Sequence, residues 1–211
     1  MKTILKILLL SGVIGITAFS CGNEKQPRPN PLPANHLTAK EAFPNQIGDR
    51  WTYSVFDSTT RTTQTVEVKI VGDTIFENGE KFKIWEYRFP DKIDTEYVNI
   101  VGDTVRLNKK YGFFNTMYIF PLYPGKSWLS GNGTIHTATV EKIETITVPA
   151  GIFKNSYDIK TKNTSYNYAL IVDNWFKPKV GIIQKYIYEF NMAPPDRQTW
   201  KLVNYKLTNQ N

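Results

Sequence analysis

From Phe43 onward, apolar and polar residues alternate with a period of two. Trp51, Tyr53 and Val55 alternate with Thr52 and Ser54, and Val66, Val68 and Ile70 alternate with Glu67 and Lys69. Tyr166, Tyr168, Leu170 and Val172 share one face of a later run. In the next run Ile183, Lys185, Ile187 and Glu189 share one face, and Tyr186, Tyr188 and Phe190 the other. Val203, Tyr205 and Leu207 fall in step in a last run, Trp200 to Leu207. Successive side chains of a strand point to opposite faces, so this period, with its β-branched and aromatic residues, predicts strands. Between them stand turn residues. Asn78-Gly79 predicts a type I′ hairpin, with positive φ at both residues. Pro149-Ala150-Gly151 fits a tight turn with proline second, and Gly102-Asp103, Pro90-Asp91 and Pro194-Pro195-Asp196 mark further reversals. No window in this region carries a helical period.

The pattern is partly duplicated. Phe43-Pro44-Asn45-Gln46-Ile47-Gly48-Asp49-Arg50-Trp51 aligns without a gap to Phe120-Pro121-Leu122-Tyr123-Pro124-Gly125-Lys126-Ser127-Trp128. Phe, Pro, Gly and Trp recur in the same places, and a strand pair about a glycine turn follows each copy. This divides a β-rich domain, residues 43–211, into similar halves, 43–119 and 120–207. Two copies are too few for a solenoid, which needs about three. They suit an all-β antiparallel meander, curled into a partly open barrel or packed as a β-sandwich. The strand with aromatics at Tyr186, Tyr188 and Phe190 leans towards burial on both faces, and so towards a sandwich or a covered sheet.

The first residues follow a different pattern. Lys2 and Lys6 precede an apolar run from Ile7 to Phe19, and the composition turns polar directly after Ser20 and Cys21. A basic start, a short apolar core and a small residue at the cut make a signal peptide over residues 1–20. The run is too short to span a membrane comfortably. Ala18-Phe19-Ser20-Cys21 resembles the lipobox of bacterial lipoproteins, with Ala18 and Phe19 where Leu and a small residue are usual. The resemblance implies a lipidated Cys21, held by membrane lipid in a bacterial cell envelope, with the outer membrane favoured and the leaflet open. Ordinary cleavage after Ala18-x-Ser20 is the alternative, which would leave a free thiol. The chain's one cysteine falls at this spot, which favours the lipid. Residues 21–42 then read as a tether, because Pro27, Pro29, Pro31 and Pro33 favour an extended chain.

A second resemblance rests on Thr147-Val148-Pro149-Ala150-Gly151-Ile152-Phe153 and on Trp175-Phe176-Lys177-Pro178-Lys179-Val180-Gly181-Ile182-Ile183-Gln184. These stretches are similar to a group of uncharacterised exported bacterial proteins, in which a T-V-P-A-G-x-F turn precedes a W-[YF]-x-P-x-V-G-[LI]-[IV] strand. The group's turn usually has a polar residue where Ile152 stands here. The resemblance implies a β-rich exported domain and brings no substrate.

Composition narrows the chemistry. The 211 residues carry 26 Lys+Arg against 19 Asp+Glu, and no basic run exceeds Lys109-Lys110. Nucleic acid is therefore a poor partner. One cysteine allows no intramolecular disulfide, and two histidines, His36 and His136, supply no metal cluster. No cofactor motif and no catalytic constellation stand out, so the chain reads as a non-enzyme. Glu141, Glu144, Asp158, Asp173 and Glu189 are the carboxylates that a glycosidase would need in facing pairs.

Aromatics are abundant, with 12 Tyr, 12 Phe and 5 Trp. Their densest stretch, at the junction of the halves, makes Tyr111, Phe113, Phe114 and Tyr118 candidates for a ligand wall. The same residues would serve equally as core between the halves. Three readings follow: a non-enzymatic binding module for a glycan or an envelope protein, a carrier of lipid or lipoprotein, and a carboxylate-dependent hydrolase. A carrier needs an open apolar cavity, a glycan binder needs exposed coplanar aromatics, and a hydrolase needs facing carboxylates.

Overall fold

The computed structural model describes residues 36–109, 113–131, 136–165, 168–191 and 195–208. These residues fall within one compact unit, Pro33–Asn211. Cys21, Tyr111 and most of the predicted tether lie outside the described residues. Twelve strands form one antiparallel sheet. The first six are β1 (Arg50–Asp57), β2 (Thr62–Ile75), β3 (Lys81–Arg88), β4 (Ile93–Val101), β5 (Thr104–Lys109) and β6 (Phe113–Ile119). The second six are β7 (Ser127–Leu129), β8 (Thr137–Val148), β9 (Gly151–Ser165), β10 (Tyr168–Lys177), β11 (Gly181–Asn191) and β12 (Asp196–Lys206).

The sheet order is β6-β5-β4-β3-β2-β1-β12-β11-β10-β9-β8-β7, so each set of six is a meander and the two meet where β1 pairs β12. The sheet curls into a nearly closed barrel with one unsealed seam, between β6 and β7. Among the described residues, three bonds cross this seam, and all of them use Thr116. Its N–H donates to the Ser130 carbonyl at 2.7 Å, and its carbonyl accepts from Trp128 Nε1 at 3.1 Å and Ser130 Oγ at 2.9 Å.

Of the two architectures open from sequence, the curled sheet is the one formed. The outward aromatic face of β11 needs no second sheet over it. Tyr186, Tyr188 and Phe190 are half-buried, and Arg197, directly opposite on β12, stacks over the Tyr188 ring at 5.5 Å. The apolar face turns inward. Val55, Val66, Ile70, Val105, Val140, Ile183 and Leu202 are fully enclosed.

The two Phe-Pro segments make matching backbone bonds. Gly48 N–H donates to Ile70 O at 2.9 Å, and Ile70 N–H returns to Asp49 O at 3.0 Å. Gly125 N–H donates to Val140 O at 2.8 Å, and Val140 N–H returns to Lys126 O at 2.9 Å. Both glycines have left-handed φ, +96° and +87°, where other residues are strained. Trp51 then stands opposite Val68, and Trp128 opposite Ala138. Each segment thus folds back on the second strand of its own half and starts the first.

Four local expectations change. The Asn78-Gly79 hairpin forms, but only Gly79 has positive φ, at +81°. Gly79 N–H bonds Phe76 O at 2.8 Å and Phe76 N–H bonds Glu80 O at 2.9 Å, which makes a three-residue loop ending in a left-handed glycine rather than a type I′ turn. Val203 leaves the face of Tyr205 and Leu207. The register slips there, Thr52 pairing Asn204 while Tyr53 pairs Leu202, so Val203 is the extra residue of a bulge and is 41% exposed.

The last two concern a short helix. The turn α1, Ala39–Ala42, stands where no helix is expected, started by a capping box in which Thr38 and Glu41 bond each other's backbone. Ala39 and Ala42 are wholly buried in the core. Residues 39–42, at the end of the predicted tether, thus form a turn, because this turn has alanines to bury and a cap to start it.

Candidate binding pocket

Phe43, from the first Phe-Pro segment, stacks on Trp85 at 5.7 Å and on Phe176 at 6.1 Å. Phe120, from the second, meets the same Phe176 edge-on at 5.9 Å. Tyr118 packs between them, 4.9 Å from Phe176 and 5.8 Å from Phe43. The two Phe-Pro segments thus converge on one ring from β10. On the inner side of this cluster Trp51 stacks on Trp85 at 5.0 Å, and its Nε1 donates to Val180 O at 2.7 Å. Tyr53 donates its hydroxyl to Ile182 O at 2.7 Å.

Two cavities flank this cluster. The inner one lies among Phe43, Trp51, Tyr53, Trp85, Met117 and Trp200, with Lys185 at its border, and has a volume of about 30 Å³. That is room for a water-sized group; the engineered cavity that binds benzene is about 150 Å³. The outer one is about 220 Å³. Leu37, Ala42, Phe120, Leu122 and Pro178 give it apolar walls, and His36, Tyr157 and the Pro121 backbone supply polar edges.

Two connections and a strand shape the outer pocket. The β6–β7 link carries Phe120-Pro121-Leu122, and Lys126 Nζ holds the Pro121 carbonyl at 2.9 Å. The β10–β11 turn carries Pro178, and its Lys179 N–H bonds Ala42 O at 2.7 Å, fixing α1 against it. Tyr157 comes from β9, where burial pushes its phenol above the usual range. A short amphipathic group fits such a site, with its body on the prolines and aromatics and its polar end at His36 or Tyr157.

The predicted ligand wall divides. Phe113 and Phe114 open the edge strand β6 and are described as strand positions only. Tyr118 is 1% exposed and belongs to the aromatic cluster behind the pocket, with its hydroxyl lacking a hydrogen-bond partner. Burial raises its phenol well above the ordinary value. Among the described side chains near that stretch, Phe120 is the aromatic that lines the pocket. Leu37, Leu122, Tyr157 and Pro178 carried no sequence signal for a site. The nearest signal was the repeated Phe-Pro pair.

The carboxylates gather elsewhere. Glu144 accepts Trp175 Nε1 at 2.8 Å and pairs with Lys142 at 3.0 Å, which hold it below the usual carboxylate range. Lys160 pairs with Asp173 at 3.4 Å. Burial, together with the Asp173 charge, pushes the Asp158 carboxyl up, and burial does the same for Asp173. Glu189 stands on β11, exposed. Neither cavity is lined by a carboxylate. His136 meets Asn163, and no three metal-ligating side chains converge among the described residues.

The fold is therefore a twelve-stranded antiparallel barrel-like sheet. No family model matches the chain, and no curated protein matches it. Two solved structures are similar to it. One is a "putative lipoprotein" from Parabacteroides distasonis, 15% identical, matching 78% of this chain and 97% of its own with a TM-score of 0.46. The other is a "putative exported protein with YmcC-like fold" from Bacteroides fragilis, 14% identical, matching 78% and 98% with a TM-score of 0.47.

Proposed function

We propose that this is a bacterial cell-envelope lipoprotein, anchored through Cys21, whose barrel domain is a non-enzymatic binding module. The anchor rests on the signal-like start that ends at the chain's one cysteine. Acyl chains on Cys21, at roughly 0.8 kcal/mol per buried methylene, would hold the protein to its membrane. In detergent phase separation the wild type goes to the detergent phase and Cys21→Ala to the aqueous phase. Equal partitioning of the two to the aqueous phase contradicts the anchor.

The binding role rests on the 220 Å³ pocket, with its apolar walls and polar edges. Its ligand is the short amphipathic end of a small molecule or of a partner's side chain. Calorimetric titration of the full chain carrying Cys21→Ala, with 1-hexanol, hexanoate and hexylamine, reads this out. Leu37→Trp puts a bulky ring in place of isobutyl at the half-buried edge of the pocket and is expected to weaken the best of the three at least tenfold. If none of the three binds the Leu37-containing protein better than the Leu37→Trp protein, the pocket is not the site.

A further inference from the structure

Aromatic rings stand between the outer pocket and the inner cavity, beside the chain at Ala42 and Phe43, which line one each. Phe120 lines the outer one and Phe43 lines the inner one. Between them stands Phe176, fully buried, 5.9 Å from Phe120 and 6.1 Å from Phe43. Tyr118, also buried, closes the same layer against Phe176 and lies 6.3 Å from Phe120. No charged side chain belongs to this layer. Beyond it the inner cavity continues the apolar surface along Trp85 and Trp51. Phe120, Phe176 and Phe43 thus form a row of rings between the two cavities.

Resting on the reading of the outer pocket as the binding site, we infer that its ligand is a short hydrocarbon chain with a polar head, and that Phe176 sets the length of chain accepted. A cavity of 150 Å³ holds benzene, so 220 Å³ holds a chain of about eight carbon atoms. The head stays at His36 and Tyr157, and the chain runs along Leu122 and Pro178 until it meets the Phe120–Phe176 layer. Phe176 is the specificity-determining residue because it touches both end rings, Phe120 and Phe43. Phe176 lines neither cavity itself, and removing its ring opens space behind Phe120 for a longer chain.

The test is a chain-length series of 1-alkanols, from pentanol to dodecanol, titrated into the full chain carrying Cys21→Ala. In the wild-type pocket each added methylene raises affinity about fourfold. The gain stops near eight carbons. In Phe176→Ala it continues beyond that length, so dodecanol binds Phe176→Ala at least tenfold more tightly than it binds the wild-type pocket. Circular dichroism verifies that the variant is folded, and Phe176→Leu, which keeps more of the core volume, replaces it if it is not. The same break-point in both proteins overturns the role of Phe176 while leaving the pocket standing. Binding that is absent, or unaffected by Leu37→Trp, overturns the pocket itself.

Discussion

Trp51→Ala is expected to cost about 4 kcal/mol of stability, among the largest single losses in the domain. The side chain is 2% exposed, stacks on Trp85 and donates to the Val180 carbonyl. Truncation loses the buried ring and leaves a cavity between β1 and the β10–β11 turn. It also leaves Val180 O without its indole donor, and a buried acceptor without a partner adds to the loss. A domain of ordinary stability, about 5–15 kcal/mol, gives up a large share of it. Trp51→Phe keeps most of the apolar surface but not the hydrogen bond, and should cost about half as much. Trp128, in the same place of the second segment, is 7% exposed and bonds Thr116 O at the seam. Its truncation should cost less, because the seam relaxes around the gap more freely than the paired centre of the sheet. Urea unfolding of the three variants gives the order. A Trp128→Ala loss larger than that of Trp51→Ala contradicts the central role of Trp51.

The second large effect falls on the residue beneath that indole. Gly181 has φ of +104°, a conformation that side chains other than glycine's rarely adopt. A Cβ there would lie 3.2 Å from Trp51 Nε1 and 3.5 Å from its Cε2. Gly181→Ala therefore combines backbone strain with displacement of the indole from Val180 O. The expected loss is about 3 kcal/mol. Gly125→Ala is the control, since Gly125 has φ of +87° and no atom within 4 Å of the added carbon. It carries backbone strain alone, about 1–2 kcal/mol. Equal losses in the two variants would mean that the Trp51 contact contributes nothing at Gly181.

Much of the sheet was legible from sequence because the period of two is a direct image of strand geometry. Trp51, Tyr53 and Val55 face the core as their spacing requires, and so do Val66, Val68 and Ile70. The repeated Phe-Pro-Gly-Trp pattern marked two segments that make matching bonds. Bulges were not legible, since an extra residue such as Val203 shifts the phase without changing residue type. Closure was not legible either. It needs the two meanders to be joined first by β1 pairing β12, far apart in sequence, and the strands of Trp51 and Trp200 look alike whether they lie in one sheet or two.

The pocket escaped for a related reason. Leu37, Leu122 and Pro178 come from connections and Tyr157 from the middle of β9, and they meet only when the sheet curls. The aromatic run at 111–118 drew attention by density, yet its one fully described aromatic, Tyr118, serves the layer behind the pocket. The helix α1 was legible in principle. Thr38-x-x-Glu41 before buried alanines is a capping box, but the prolines before it set the reading of the whole segment.

The location of a bound chain tests the account most directly. Intermolecular nuclear Overhauser effects from the terminal methyl group of 1-octanol to the assigned full chain carrying Cys21→Ala report which side chains it touches. Contacts to Phe120, Leu122 and Pro178, with none to Trp51 or Trp85, are the predicted result. Contacts to Trp51 and Trp85, or none above those seen with Leu37→Trp, would contradict a pocket closed by the Phe176 ring.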